Sequence, residues 1–266
     1  MTKKQAAEKK QRAWSSYPPV CLYGFAGSGK TGVCIKAAEY VGWERTLWLH
    51  TERKATQYTM PEYTESSPFG VINVQHTPVE EIYDFLEDIE KRAAAGERPY
   101  DLVVLDSISE LEFVNIDSIE KSLKKDSKSG KKADGRQVWG EEKSDMLNLF
   151  WRLTNLNSFV LLTAHVTEVP NPVAPVNEDG SKNFILRPHM SGYWAKGLDH
   201  RLDMTLYMER KSMGERRIYL KPTGTIHVLD RFEHLVETPQ YIVVPDFADD
   251  ENVFATLLAY ANVREV

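Results

Sequence analysis

Residues 24–31 read Gly-Phe-Ala-Gly-Ser-Gly-Lys-Thr and match the pattern G-x-x-x-x-G-K-S/T. An apolar run, residues 20–22, precedes them, and a helical pattern over residues 32–41 follows. A glycine-rich turn between a strand and a helix lets backbone N–H groups surround phosphate oxygens at the helix N-terminus. The stretch therefore predicts a loop that binds the phosphates of a nucleoside triphosphate. The residues expected to line this loop are Gly24, Phe25, Ala26, Gly27, Ser28, Gly29, Lys30 and Thr31.

Two residues of this loop and one distant aspartate carry the expected phosphate and metal chemistry. Lys30 is placed to reach the β- and γ-phosphates, and the Thr31 hydroxyl is placed to bind Mg²⁺. Asp106 follows four apolar residues, 102–105, and so would stand at the tip of a buried strand. We expect Asp106 to hold the Mg²⁺ shell from there, with a helix-capping role as the alternative.

Continuous apolar runs alternate with helical patterns from Val20 onward. Such runs are typical of strands that are covered on both faces of a sheet. The predicted strands are residues 20–23, 46–50, 102–105 and 159–164, and the predicted helices include residues 78–95 and 138–156. The alternation predicts an α/β fold with a parallel sheet that binds ligands at the carboxyl ends of its strands.

After Arg201 the alternation of strand and helix patterns gives way to short strand-like runs. Three short runs, residues 204–208, 217–220 and 225–229, favour meandering strands added at one edge of the sheet. A short amphipathic helix is expected over residues 252–261.

Length and charge limit the remaining possibilities. The 266 residues carry a formal charge of −6, so no global positive field would draw the chain to nucleic acid, and a polyanion site must be local. We expect residues 1–17 to form a flexible arm and residues 18–266 to form one domain. No apolar run approaches about 18 residues, so no membrane span is predicted. The two cysteines stand in apolar company, which favours reduced core thiols in a cytoplasmic protein.

Two polar residues that follow predicted strands are candidates for catalysis. Glu52 comes shortly after the strand at residues 46–50, at the same sheet edge as the phosphate loop, where a carboxylate can polarise an attacking water. His165 ends the strand at residues 159–164 and could sense the γ-phosphate. A capping acid and a core histidine are the respective alternatives.

Two polar intervals interrupt the apolar pattern, at residues 118–136 and 166–196. Long unstructured segments in a compact domain are typically functional or disordered, so both are candidate DNA-binding loops. The first is rich in basic residues: Lys121, Lys124, Lys125, Lys128, Lys131, Lys132 and Arg136. The second contains Tyr193 and Trp194, which could stack on bases or pack in a core. A solvated charged loop is the alternative for the first interval.

The chain resembles the RecA-like ATPases, in particular the small phage ATPases described as single-strand annealing or recombination proteins. The resemblance rests on residues 24–31, the strand end at Glu52, residues 105–109, Trp139-Gly140 and residues 161–165. It implies a RecA-like P-loop NTPase fold with a mostly parallel central sheet flanked by helices and antiparallel strands added at the C-terminal edge. It also implies ATP and Mg²⁺ as ligands and Glu52 as the catalytic base. At the γ-phosphate switch position the family usually has Gln, where this chain has His165.

The resemblance further implies a homo-oligomer, a ring or filament, in which a basic residue from the neighbouring subunit completes the site. Lys221 is the first candidate for this residue and Arg217 the second. The implied function is DNA-stimulated ATP hydrolysis on single-stranded DNA during recombination, annealing, repair or replication. A single-strand binding protein is a candidate partner, and the cytoplasm of a bacterial host is the expected location.

Two other functions share the phosphate loop. A nucleotide-gated adaptor would load or regulate a replication or packaging partner and would show weak turnover without DNA stimulation. A small-molecule kinase would need an acceptor pocket and usually an arginine-bearing lid, but the first polar interval has no arginine before Arg136.

Overall fold

Nine of the strands that the structure describes form one sheet at the centre of the fold. The computed structural model describes residues 19–51, 70–73, 79–97, 99–126, 134–156, 158–173, 176, 178–190, 202, 204–211, 214–230, 237–247 and 251–260. The strands are β1 (Val20–Tyr23), β2 (Thr46–His50), β3 (Gly70–Asn73), β4 (Leu102–Asp106), β5 (Phe159–Ala164), β6 (Val166–Pro170), β7 (Phe184–Pro188), β8 (Met204–Arg210), β9 (Arg216–Tyr219), β10 (Leu229–Asp230) and β11 (Tyr241–Val244). The α-helices are α1 (Lys30–Val41), α2 (Val79–Ala94), α3 (Ile108–Asp126), α4 (Gly135–Thr154) and α5 (Val253–Tyr260), and a 3₁₀ turn spans Trp43–Arg45.

Six strands of the sheet are parallel and lie in the order β8-β1-β5-β4-β2-β3. Beyond β8 the sheet continues with β9 and β11, each antiparallel to its neighbour, and β10 pairs antiparallel with the start of β8. The predicted fold class, a mostly parallel sheet with antiparallel strands added at the C-terminal edge, is confirmed. The hairpin of β6 and β7 forms a separate two-stranded sheet.

Helices cover both faces of the parallel strands. Right-handed crossovers place α1 on one face, and α2, α3 and α4 on the other, because the chain reverses its direction across the sheet after β3. Consistent with this, α1 packs against α5, and α4 packs against both α2 and α3. Every residue of β1, β2, β4 and β5 is buried, which explains their continuous apolar sequences. Both cysteines, Cys21 and Cys34, are free and buried in this core.

For the described part of residues 118–136, namely 118–126 and 134–136, the structure corrects the expectation of a loop. Residues up to Asp126 continue α3, and α4 begins at Gly135. The lysine-rich sequence is compatible with a helix because Lys121 pairs with Asp117 and Lys124 with Glu120, both at i,i+4 spacing. Opposite charges four residues apart support a helix even where the overall composition looks like a solvated loop.

Three further expectations about the second half of the chain were wrong. Residues 166–170 and 184–188 of the second polar interval pair as an antiparallel hairpin. The strand that begins at Met204 is not part of an added meander, because it lies parallel to β1 inside the sheet. Of the run 225–229, only Leu229 belongs to a strand, which continues to Asp230. Within the described ranges, no helix has the length and apolar character needed to cross a bilayer.

A buried pair of carboxyl groups lies where α3 packs against α4. Glu112 is 4% exposed and Glu142 is 3% exposed, and the Oε1 atom of Glu142 has no hydrogen-bond partner among the described residues. Burial, with the adjacent carboxyl groups of Glu112 and Asp145, raises the pKa of Glu142 to about 7. Two carboxylates in low dielectric repel each other, so the neutral form of Glu142 is favoured in the native state.

Glu142→Gln should stabilise the protein at pH 8 by about 1–3 kcal/mol and have little effect at pH 5. A glutamate whose native pKa is raised binds a proton in the folded state between about pH 4.5 and 7, where the unfolded chain has lost it. The free energy of unfolding of the wild type should therefore fall through this range and stay low above it. Urea unfolding at pH 5, 6, 7 and 8 measures the difference, with the exposed Glu141→Gln as control. An identical pH dependence in wild type and Glu142→Gln would contradict this assignment.

Candidate nucleotide-binding site

The predicted phosphate loop lies at the carboxyl edge of the sheet, between β1 and α1. Its first residue, Gly24, donates its N–H to the carbonyl of Ala164 at the end of β5, with an N···O distance of 3.3 Å. A Cβ atom on Gly24 would lie 2.0 Å from the backbone oxygen of Met208 in β8. The loop is thus fixed against both neighbouring strands, at a distance that only glycine allows.

The N-terminus of α1 lies directly at the end of the loop. Gly29 precedes the helix with φ of 108°, a left-handed conformation that favours glycine, and no side chain caps the helix N-terminus. Ser28 is 2% exposed, and its Oγ has no hydrogen-bond partner among the described residues. An uncapped helix start and a buried hydroxyl without a partner both fit an anion in the loop.

Lys30 lies folded over this cradle. Its side chain is largely buried, at 7% exposure for the residue, and its Nζ donates to the carbonyls of Gly24 at 2.9 Å and Phe25 at 3.1 Å. The ammonium group is therefore held directly beside the loop, where phosphate oxygens would be stronger acceptors than the carbonyls. The residues present fit a nucleoside triphosphate.

Asp106 is the buried charge at the centre of the site. It is 2% exposed, and its Oδ2 accepts a hydrogen bond from Thr31 Oγ1 at 2.8 Å while Oδ1 accepts one from Thr163 Oγ1 at 2.5 Å. Thr31 and Asp106, predicted as metal ligands, are therefore in direct contact. A hydroxyl and a carboxylate are oxygen donors of the kind that Mg²⁺ prefers, with phosphates and water completing its shell. Among the described residues, no group of three or more His, Cys, Asp or Glu could hold a metal on its own.

Thr51 connects β2 to the chain after Asp106. It is fully buried, its N–H donates to Asp106 O at 3.0 Å, and its Oγ1 exchanges hydrogen bonds with the N–H and carbonyl of Ser107. Glu52, the predicted catalytic base, lies outside the described residues. The residue before Glu52 is thus fixed beside the predicted metal site.

Ser109, in the first turn of α3, links this helix to His165 and His189. The N–H of His165 donates to Ser109 Oγ at 3.0 Å, and Ser109 Oγ donates to the carbonyl of His189 at 2.7 Å. The N–H of His189 in turn donates to the carbonyl of His165 at 2.7 Å, which closes the base of the β6–β7 hairpin. Burial, with a smaller effect of the nearby Lys30 charge, lowers the pKa of His165 and so favours the neutral ring.

Tyr23 joins the hairpin to the phosphate loop from the other side. It is fully buried at the end of β1, and its hydroxyl contacts the carbonyl oxygens of Leu186 in β7, at 2.9 Å, and of His227. The hairpin is therefore bonded through β7 to the end of β1, and through the residues at its base to the start of α3.

The predicted DNA-binding residues lie in three different settings. Lys121 and Lys124 are exposed on α3 and paired with Asp117 and Glu120, at 2.5 and 3.3 Å. Lys125 belongs to the same helix, and Arg136 is exposed in the first turn of α4. Outside the described residues lie Lys128, Lys131, Lys132, Tyr193 and Trp194.

The two candidates for a basic residue acting between subunits differ in their contacts. Arg217 is paired with Glu215 at 2.5 Å and lies over the ring of Tyr241, 4.4 Å from its centroid. Lys221 follows β9, where its carbonyl accepts a hydrogen bond from Gln240 Nε2 at 2.9 Å. A role for either residue in a neighbouring site stays a prediction.

Sequence reasoning missed Thr163, Thr51 and Ser109. Thr163 is a polar residue inside an otherwise apolar buried strand, which was the available signal. Thr51 and Ser109 have no signature of their own, because their hydrogen bonds connect positions that are more than 50 residues apart in the chain.

A family model described as an AAA domain matches residues 16–232. A search of curated proteins found no match. Among solved structures, the flagellar accessory protein FlaH from Methanocaldococcus jannaschii is 15% identical, with 85% of this chain and 84% of that chain covered and a TM-score of 0.39. The RadB recombinase is 16% identical over 78% of this chain and 84% of that chain, with a TM-score of 0.41. The ATPase EscN from the type III secretion system of enteropathogenic E. coli is 12% identical, with 72% of this chain and 43% of that chain covered and a TM-score of 0.40. These structural likenesses are too distant to support a functional argument.

Adding one methyl group to two different glycines should have opposite effects on stability. Gly24→Ala would place its Cβ against the backbone of β8 and should lower the free energy of unfolding by about 2 kcal/mol or more. Gly140→Ala, in the interior of α4 with open space around the added atom, should raise it by about 0.5–1 kcal/mol. Urea unfolding of both variants measures the difference, and an unaltered Gly24→Ala protein would show that the loop does not lie against β8.

Proposed function

The chain belongs to the AAA domain family, and on that premise we propose that it binds ATP with Mg²⁺, hydrolyses it to ADP and phosphate, and acts on single-stranded DNA. The observation that carries the proposal is the contact of Asp106 with Thr31 beside an uncapped helix start and a buried lysine. These are the parts that phosphoryl transfer to water requires, because catalysis there is mainly positioning and charge stabilisation.

Each residue of the site would have a separate task. The N–H groups at the start of α1 and the Lys30 ammonium would bind the phosphates, and Lys30 would exchange its bonds to the loop carbonyls for bonds to phosphate oxygens. Thr31 and Asp106 would hold Mg²⁺, which neutralises phosphate charge when bound. Glu52, next to the fixed residue Thr51, would accept the proton of the attacking water.

His165 and Ser109 would pass the state of the nucleotide to the DNA-binding elements. The His165 ring is half-buried at the end of β5, close enough to Lys30 for the charge to affect its pKa. Its backbone is bonded to Ser109, so a change at the γ-phosphate would reach both α3 and the hairpin. α3 runs without a break to Asp126, and Lys121 lies about 18 Å further along it than Ser109.

We infer that DNA binding would use the basic side chains at the end of α3 and the start of α4. Contacts to the DNA backbone from several cations would be sensitive to salt and indifferent to sequence. The acidic partners of Lys121 and Lys124 would have to be exchanged for phosphates, at small cost because exposed pairs contribute little to stability. Lys221, or Arg217 after leaving Glu215, would complete the site of a neighbouring subunit in a ring or filament.

One observation favours a second candidate, a nucleotide-gated adaptor for a protein partner. Between β6 and β7, the hairpin exposes two apolar side chains, Val173 at 91% and Val176 at 55% exposure. Binding of DNA at this position would instead require basic side chains. Exposed apolar side chains suit contact with a protein. In that case ATP would control the hairpin, and DNA would leave the turnover rate unchanged.

Steady-state ATP hydrolysis with and without single-stranded DNA, at two salt concentrations, separates the two functions. We expect stimulation by DNA that declines at higher salt. The triple variant Lys121→Gln/Lys124→Gln/Arg136→Gln should lose most of the stimulation and keep the basal rate. Lys91→Gln/Arg92→Gln, which removes two exposed cations from α2, is the control and should behave as the wild type. Turnover that ignores DNA in the wild type would reject DNA stimulation and favour the adaptor.

Lys30→Ala should reduce hydrolysis by about 100-fold or more and leave the fold intact. The substitution removes the cation that would stabilise negative charge on the phosphates during transfer. Hydrolysis by the purified variant and its circular dichroism spectrum provide the test. Unchanged hydrolysis in a folded variant would reject the assignment of the phosphate loop.

A further inference from the structure

Arg216 stands above the carboxyl edge of the parallel strands, level with the phosphate loop. In the sheet register, Tyr23 at the end of β1 pairs with Tyr207 of β8, and Arg216 pairs with Arg210, three residues further along β8. Three residues of a strand span about 10 Å, so Arg216 lies well past the end of β1. The antiparallel return of β9 thus brings this arginine beside residues 24–31.

The side chain of Arg216 packs directly on the loop of its own chain. A Cβ atom on Gly29 would lie 2.9 Å from Arg216 Cδ and 3.0 Å from Arg216 Nε. The guanidinium lies over the ring of Phe247, 5.0 Å from the centroid, and this ring covers Gly32, whose Cβ would lie 2.5 Å from it. Arg216 and Phe247 therefore cover the residue that precedes α1, Gly29, and a residue of its first turn, Gly32.

Arg216 has a donor in this position without an acceptor. Its Nε atom is buried and has no hydrogen-bond partner among the described residues. A buried N–H that lacks a partner is costly, and an arginine donor is best satisfied by a carboxylate or phosphate oxygen. The adjoining N–H groups of α1 also attract an anion, so a phosphate oxygen would satisfy both sets of donors.

The sheet order indicates which phosphate this is. Thr31 contacts Asp106 on β4, which lies two strands from β1 on one side, whereas Arg216 belongs to β9, two strands from β1 on the other side. If the γ-phosphate lies toward Asp106 and His165, the nucleoside end of the ligand extends toward β8 and β9. The Arg216 guanidinium then meets the α-phosphate.

We propose that Arg216, oriented by Phe247, binds the α-phosphate of the nucleotide held by its own subunit. The inference rests on the proposed ATP site and adds a residue to it. Because Arg216 lies on its own phosphate loop, it acts within the subunit, unlike the candidates Lys221 and Arg217. A contact with the α-phosphate is common to ATP and ADP, so Arg216 contributes to nucleotide affinity and does not distinguish the two states.

Isothermal titration calorimetry of the dissociation constants of Mg²⁺-ATP and Mg²⁺-ADP tests the proposal. The non-hydrolysable analogue AMP-PNP replaces ATP where turnover interferes. Arg216→Ala should weaken both nucleotides by the same factor, about tenfold or more. Arg216→Lys keeps the charge but loses the planar guanidinium and should give an intermediate loss. Phe247→Leu should give a smaller loss, also equal for the two nucleotides. Arg92→Ala, which removes an exposed arginine from α2, is the control and should bind as the wild type.

The outcomes separate this inference from the proposed function. If the wild type binds neither nucleotide, the proposed ATP site is rejected. If the wild type binds both and Arg216→Ala binds them equally well, only the role of Arg216 is rejected. A loss confined to ATP or AMP-PNP would place Arg216 at the γ-phosphate and overturn the assignment to the α-phosphate. If circular dichroism shows that Arg216→Ala is unfolded, Arg216→Lys and Phe247→Leu decide the question by the same comparison.

Discussion

A buried carboxylate must be hydrogen-bonded, because an unpaired charge in a protein interior is very costly. Asp106 meets this requirement through hydroxyls from two different elements, Thr31 on α1 and Thr163 on β5. Each of its two oxygens accepts one hydroxyl, so the tip of β4, the end of β5 and the start of α1 are held in a single arrangement. The phosphate loop, the candidate metal ligands and the strand that leads to His165 take their relative positions from this interaction.

Around it, side-chain hydroxyls bonded to backbone groups hold the neighbouring elements in place. Thr51 fixes the end of β2 to the chain after Asp106, and Ser109 fixes the first turn of α3 to the base of the hairpin. On the far side of the loop, Tyr23 binds the carbonyl of Leu186 in the same hairpin. α3, which carries Lys121 and Lys124, and the hairpin are therefore attached to the candidate nucleotide site through these bonds, and a displacement of Ser109 would move both of them.

The parts of this fold that sequence predicts are those with a strong local cause. β1, β2, β4 and β5 are covered on both faces, so most of their residues are apolar. Glycine is required at Gly24 by the close backbone of β8, and it is favoured at Gly29 by the left-handed backbone. β3 was not predicted, because its sequence Gly-Val-Ile-Asn contains only two apolar strand-forming residues. The position of β8 inside the parallel sheet depends on its pairing with β1. In this pairing Met204 lies opposite Val20, which is 184 residues earlier in the chain. The position of Arg216 beside Gly29 depends in turn on how β8 and β9 pair, so no local sequence pattern predicts it.

The burial of both cysteines has a practical consequence for following the motions of this protein. Thiol reagents attack the thiolate, and burial raises the pKa of the Cys34 thiol and keeps both side chains away from solvent. A single cysteine introduced on an exposed surface, in place of Val173 on the hairpin or Lys121 on α3, would therefore react selectively with a maleimide dye. Fluorescent labelling at one introduced cysteine would therefore not require replacement of Cys21 or Cys34.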